Sequence, residues 1–211
     1  MSAVQIEEIR KAGIIAILRK VPEEKLVAYI RAIVSGGVSA LEMTLDSAGA
    51  LQAIERFRQE YGERVFIGAG TVLSAAQAED AVAAGAQFLV SPNVDRQVIA
   101  AAQRLAVPIL PGVLTPTEIA EAKRAGVKIV KLFPARAFGP GYLKDLLGPF
   151  ADMEFIPTGG IDYANAMEFI RAGAVGVGIG SSLVGKGTEG QEAEDQIALQ
   201  VRQLLAAIRN V

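Results

Sequence analysis

Short aliphatic runs alternate along the chain with longer stretches in which apolar positions recur at helical spacing. Residues 4–11 predict a short amphipathic helix. Residues 14–18 predict a strand that ends at Arg19, and 22–35 a helix with Glu23 and Glu24 in its first turn, where the helix dipole favours them. Gly36-Gly37 stops that helix. Further strands are predicted at 40–45, 65–70, 88–91, 107–113, 127–134, 154–158 and 174–179, the fifth of the eight interrupted by Pro108 and Pro111. Helices are predicted at 47–61, 74–84, 95–105, 115–125, 141–147, 162–172 and 193–209. Ser74 with Gln77 has capping-box spacing, Asp95 is a cap, and Pro116 occupies a first-turn position. A polar connection over 185–190 leads to the last helix.

The strands are short and apolar on both faces, which suits a parallel sheet covered by helices. Eight strand–helix units in 211 residues fit a single-domain (β/α)8 TIM barrel over residues 1–211, with an additional N-terminal helix. A doubly wound open sheet is the alternative, but no Gly-x-Gly-x-x-Gly follows the first strand.

Two strands carry charge where the pattern should be apolar. In 127–134, side-chain alternation puts Ile129, Lys131 and Phe133 on one face and Val130 and Leu132 on the other. Lys131 is thus flanked by apolar residues near the strand's far end. It is either a snorkelling or ion-paired lysine, or one whose amine burial frees to attack a carbonyl. In 40–45, Leu41, Met43 and Leu45 share a face that should pack on helices, which turns Glu42 and Thr44 inward together with Asp46. A buried glutamate is costly unless paired or functional, and a structural ion pair with Lys131 is the plain alternative.

Composition narrows the chemistry. The chain has no cysteine and no histidine, which removes disulfides, thiolate metal sites, histidine acid–base catalysis and the usual zinc sites. Lys plus Arg is 21 against Asp plus Glu 23, with no basic stripe, so a nucleic-acid partner is not expected. No apolar run approaches a membrane span, and the polar, acidic start does not read as a signal peptide. A soluble, cytoplasmic protein is expected, with no membrane partner.

Active residues of a barrel gather at the C-terminal ends of its strands. Those ends supply Arg19, Glu42, Thr71 after a Gly-Ala-Gly, Ser91-Pro92, Pro111-Gly112, Lys131, Thr158-Gly159-Gly160 and Gly180-Ser181. Glycines at the last two ends expose backbone N–H groups, the usual phosphate site of such barrels, with a pair of tight βα turns as the plain alternative. An inward lysine, an inward glutamate and a phosphate pocket make imine formation the simplest chemistry for these residues.

Glu42-Met43-Thr44-Leu45, Gly68-Ala69-Gly70-Thr71-Val72, Ser91-Pro92, Pro111-Gly112-Val113, Lys131-Leu132-Phe133-Pro134 and Pro157-Thr158-Gly159-Gly160 occur in an order and spacing that resembles the class I 2-keto-3-deoxy-6-phosphogluconate (KDPG) aldolases, many also active on 4-hydroxy-2-oxoglutarate. The resemblance spans essentially the whole chain. It implies a homotrimeric barrel that cleaves its sugar acid to pyruvate and glyceraldehyde 3-phosphate, without a cofactor or metal. It implies that Lys131 is the Schiff-base lysine and Glu42 the general acid/base. Thr71 and Pro92 would line the pyruvate end, and Thr158, Gly159, Gly160 and Ser181 would lie toward the hydroxyl and phosphate end, with Phe133 and Gly180 as further substrate-binding residues.

One position departs from that pattern. Many members carry Arg directly after the Thr-Leu of the second strand, where it helps hold the substrate carboxylate. Asp46 stands there in this chain, and as a carboxylate it would repel one. Arg19, in phase with Ile15 and Ile17, is placed to supply the charge instead. Similar 6-phosphogalactonate aldolases tend to carry a hydrophobic residue where Thr158 stands, so Thr158 favours the gluconate isomer. Two other readings remain: a phosphosugar isomerase or epimerase, which would not need Lys131 to form an imine, and a non-catalytic barrel scaffold.

Overall fold

The computed structural model describes residues 3–184 and 190–211, so most of the polar connection expected over 185–190 lies outside the described residues. Each aliphatic run forms a parallel strand, and each helically spaced stretch after it folds back across the sheet. The strands are β1 (Ile14–Leu18), β2 (Ala40–Thr44), β3 (Phe66–Gly70), β4 (Phe88–Val90), β5 (Ile109–Leu110), β6 (Gly112–Val113), β7 (Ile129–Leu132), β8 (Glu154–Pro157) and β9 (Val177–Ile179). The main helices are α1 (Ala3–Ala12), α2 (Glu23–Ser35), α3 (Ala50–Tyr61), α4 (Ala75–Ala83), α5 (Arg96–Arg104), α6 (Pro116–Arg124), α7 (Gly139–Leu147), α8 (Ala166–Arg171) and α9 (Gln191–Arg209). None of the described helices is long and apolar enough to cross a membrane.

The strands pair in parallel as two curled sheets, β5-β4-β3-β2-β1-β9 and β6-β7-β8. The predicted fifth strand is therefore two pieces. Pro111 has no N–H to donate, so the ladder breaks there: Ile109 and Leu110 pair with β4, while Gly112 and Val113 pair with β7. At the other seam, a single bridge links Thr158 to Gly178 of β9.

Alternation along the strands makes two cores. Ile14, Leu41, Met43, Ile67, Leu89, Val130, Leu132, Phe155 and Val177 pack against the helices. The opposite face gathers Ile15, Ala40, Phe88, Leu110, Ile129 and Ile156 with Ile9 and Ala12 of α1. Arg10 of α1 fixes the helix there through two 2.8 Å hydrogen bonds to Glu154 at the start of β8.

Several boundaries differ from expectation because side chains found other partners. The helix predicted from 47 begins at Ala50: the Ser47 hydroxyl pairs with Thr44 Oγ1 and accepts from the Lys20 N–H, which commits it to the turn after β2. Asp162 does not open α8 directly. Its Oδ1 accepts from the Ala164 and Asn165 N–H groups, closing a turn before the helix starts at Ala166. Only half of the Ser74–Gln77 box forms: Ser74 Oγ accepts from the Gln77 N–H, but Gln77 Oε1 takes the Leu73 N–H. Thr115 and Glu118 form the complete box on α6.

Glycines on the inner face leave space for particular neighbours. A Cβ at Gly112 would overlap the backbone carbonyl of Pro92, which cannot rotate away, whereas one at Gly141 would meet nothing within 4 Å. Gly112→Ala is therefore expected to destabilise the protein by ~1–3 kcal/mol through overpacking, with a clear fall in Tm in thermal unfolding. Gly141→Ala, in the first turns of α7, should leave Tm unchanged or slightly raised. Equal Tm values for the two variants would contradict this account of the Gly112 position.

Candidate active site

Two of the strand-borne residues expected to hold the chemistry, Glu42 and Lys131, lie on the sheet faces turned away from the helices. Register sets the two charged residues in place: Glu42 pairs with Ile17 and Gly68, and Lys131 with Gly112 and Ile156. Their strand neighbours Leu41, Met43, Val130 and Leu132 all belong to the helix-facing core, so Glu42 and Lys131 point the other way. Both are buried, Glu42 2% exposed and Lys131 4%.

Among the described residues, Glu42 Oε1 finds no hydrogen-bond partner although it is sealed from solvent. Gly70 makes its position possible, since a Cβ there would overlap the carboxylate. Burial lifts the Glu42 carboxyl above its usual range; Lys131 and then Arg19 oppose that rise, and Asp46 adds to it. Burial likewise lowers the Lys131 ammonium below its usual value. The charge of Glu42 works against that fall and Arg19 works with it. Each group is thus pushed toward its neutral form. Lys131 Nζ lies 4.9 Å from the centre of the Phe133 ring, a cation–π contact in its charged form.

The rim is built on the ends of β1, β2 and β3. Arg19 NH1 donates to Asp46 Oδ2 at 3.3 Å, and NH2 donates to Thr71 Oγ1 at 2.8 Å. Lys20 Nζ reaches the same Asp46 oxygen at 3.7 Å. Burial pushes the Asp46 carboxyl up, but the Thr44 hydroxyl, Arg19 and Lys20 outweigh it, and the group sits below its ordinary range. Thr71 is held at φ 58, a left-handed conformation costly for a β-branched residue, on the order of 1–3 kcal/mol.

The remaining candidates lie around these groups. Pro92 follows β4 and is half-buried, with its backbone packed on Gly112. Gly159 packs on the Phe133 ring, where a Cβ would come within 3.1 Å, and Thr158 bridges to Gly178. Gly160 is exposed, and its carbonyl accepts from Asn165 Nδ2 at 2.9 Å. Gly180 precedes an exposed Ser181 in a short 3-10 turn. The adjacent Ser182 donates to the Ile161 carbonyl at 2.8 Å and so ties the two glycine-bearing loops together. Sequence reasoning missed Asp46 as the partner of Arg19, and Asn165 and Ser182 as supports of these loops. Among the described residues, no group of three or more His, Cys, Asp or Glu could hold a metal ion.

Residues 5–199 match the family profile described as KDPG and KHG aldolase. The 2-dehydro-3-deoxy-6-phosphogalactonate aldolase of Escherichia coli K12 is 34% identical over 94% of this chain and 98% of its own. The 2-dehydro-3-deoxy-phosphogluconate aldolase of Treponema pallidum is 38% identical over 78% of each chain. Among solved structures, a KDPG aldolase from Legionella pneumophila, with pyruvate captured as a covalent carbinolamine, superposes with a TM-score of 0.80 at 32% identity, covering 95% of this chain and 97% of that one.

The two buried charges set a stability test. A lysine whose folded pKa is depressed binds its proton less readily in the native state than in the unfolded chain. Stability therefore rises with pH through the window that ends near the ordinary value of 10.5, and below that window the residue destabilises. The raised Glu42 pKa has the opposite slope: its cost is absent below the ordinary 4.5 and grows as pH rises through the folded value. Lys131→Met, close in volume and uncharged, is expected to raise Tm at neutral pH by ~2–4 °C. Thermal melts across pH check this, and a lowered Tm would show that Lys131 is well compensated in the fold.

Proposed function

The chain belongs to the KDPG and KHG aldolase family and is a class I aldolase, a carbon–carbon lyase; from that premise we propose that Lys131 forms the imine and that Glu42 moves the protons. The observation that carries this reading is the burial of both groups on one interior face, each displaced toward its neutral state. A neutral Lys131 amine adds to the C2 ketone of the substrate, and loss of water leaves a protonated imine. Electrons of the C3–C4 bond flow into that imine while Glu42, through a water, takes the C4 hydroxyl proton and the aldehyde leaves. Glu42 then returns a proton to C3 of the enamine, and hydrolysis of the imine releases pyruvate and restores the amine.

Arg19 receives the substrate carboxylate, with Thr71, Pro92 and Phe133 beside the pyruvate unit. Thr158 meets the hydroxyl chain, and Gly159, Gly160, Gly180 and Ser181 meet the phosphate. The preferred substrate is 2-keto-3-deoxy-6-phosphogluconate, with 4-hydroxy-2-oxoglutarate as a second. The polar Thr158 supports the gluconate isomer. A second reading, the galactonate isomer, is favoured by the E. coli relative that matches nearly end to end.

The same reading treats the two sheets as one (β/α)8 barrel. The 109–113 segment is its fifth strand on both sides of Pro111, the Thr158–Gly178 bridge closes it, and α1 is an additional N-terminal helix that plugs its lower end with Ile9. A homotrimer in the cytoplasm completes the proposal. The exposed Phe138, its ring tilted against that of Tyr142, and the exposed Leu73 supply apolar surface for such an assembly.

Incubation with pyruvate and borohydride, followed by intact mass and peptide mapping, tests the imine. A single reduced pyruvate adduct on Lys131, absent from Lys131→Ala, is expected; a folded protein with no adduct would remove Lys131 from the reaction. Glu42→Gln should slow turnover by ~10²–10⁴-fold while still trapping some imine. Glu42 raises the Lys131 pKa, so the same variant should move the acid limb of trapping to lower pH. Comparing kcat/KM for the two phosphorylated sugar acids decides the isomer, and a tenfold preference for the galactonate would overturn the inference from Thr158.

A further inference from the structure

Arg19 is anchored at both terminal nitrogens, by Asp46 from the end of β2 and by Thr71 from the end of β3. Its side chain is nevertheless about half exposed, at 49%, and a long side chain in that setting samples many rotamers unless it is tethered. Inward from it lies Glu42, with an oxygen that has no hydrogen-bond partner among the described residues and close enough for the guanidinium to act on its charge. A released Arg19 would have that buried carboxylate as a competing partner.

We propose that Asp46 is a positioning residue: by pairing with Arg19 it fixes the guanidinium at the rim, presented to the carboxylate of the incoming keto acid and held off Glu42. The proposal rests on the reading that Arg19 receives that carboxylate. Two anchors leave further N–H groups of the planar fork free for a second carboxylate, and a fork already oriented loses less freedom when the substrate arrives. Asp46 is not a free anion facing the substrate, because Arg19 and Lys20 both neutralise it. The negative charge that would repel a keto acid is instead spent on ordering the cation that attracts it.

The test is the concentration of pyruvate that half-saturates borohydride trapping, together with KM and kcat for cleavage of 2-keto-3-deoxy-6-phosphogluconate. It compares Asp46→Ala, Asp46→Asn, Arg19→Ala and the Asp46→Ala/Arg19→Ala double variant, each with its Tm. Positioning predicts that Asp46→Ala raises both half-saturation values by ~5–30-fold with kcat within ~3-fold, the pattern of lost ground-state binding. Asp46→Asn, which still accepts a hydrogen bond, should fall between Asp46→Ala and the parent. In the Arg19→Ala background, removing Asp46 should add nothing, because the effect acts through Arg19. Half-saturation that is unchanged or lower in Asp46→Ala overturns the proposal, the lower value meaning that Asp46 repels substrate. An equal rise with or without Arg19 overturns it as well and assigns Asp46 a structural role. If Arg19→Ala itself leaves pyruvate binding intact, the underlying reading of Arg19 fails, and that result is separable from any behaviour of Asp46.

Discussion

Burying a carboxylate and an amine in one low-dielectric interior, with one oxygen of the carboxylate lacking a hydrogen-bond partner among the described residues, is the constraint on which this structure turns. An unpaired charge there is expensive, and a protein relieves the cost by neutralising the group. Parallel strands are suited to enforcing that burial. Leu41, Met43, Val130 and Leu132 are pinned into the helix-facing core, so the strands cannot slip to let Glu42 or Lys131 reach solvent without exposing a row of aliphatics. Gly70 then leaves room for the glutamate, and Arg19 at the rim contributes a third charge that acts on both groups.

Much of this was legible in the sequence because it is local. Strand alternation alone assigned the inward faces of β2 and β7, and the joints between helices and strands followed from apolar period and glycine. The split at Pro111 was half-visible: the proline marked an interruption, but only pairing with two different neighbours makes it a seam between sheets. The start of α3 was misplaced because Ser47 is an ordinary cap by sequence. Its hydroxyl instead accepts from the Lys20 N–H, a partner set by the register of β1 against β2. The loops after β8 and β9 read correctly as glycine-rich, yet their supports, Asn165 and Ser182, look like any polar loop residue until the chain is folded.

Asp46 shows the same limit at the level of charge. Viewed along the chain, a carboxylate where a carboxylate binder is expected reads as repulsion. In the fold, its partner is 27 residues away in sequence, and the pair is an anion ordering a cation. The sign of a residue's effect on a ligand depends on whether its own charge is already matched, and matching is a property of the folded rim. The left-handed Thr71 belongs to this arrangement: its hydroxyl accepts the other terminal nitrogen of Arg19, so backbone strain at the end of β3 accompanies an anchor that a relaxed residue at that position would have to supply differently.

The opposed shifts of Glu42 and Lys131 have a consequence for how one carboxyl serves two steps. A neutral amine beside a protonated acid and an ammonium beside a carboxylate contain the same atoms and differ only in the position of one proton, so the two groups titrate as a coupled pair. Burial favours the neutral arrangement, which in the proposed reaction would supply a nucleophilic amine for addition to the ketone and an acid for the departing water. Formation of the imine changes that balance. In the proposed reaction the protonated imine, while it keeps its N–H proton, would face Glu42 as a cation and draw its pKa down. On that reading the carboxyl that began as an acid would become a carboxylate, the base required for the C4 hydroxyl proton. When the enamine forms, that cation would disappear, and the carboxyl, now holding a proton, would again be the acid that C3 needs. On the proposed mechanism the change of role follows from the charge of the intermediate acting on a group whose proton affinity burial has already raised, and it requires no movement of the strands that carry it.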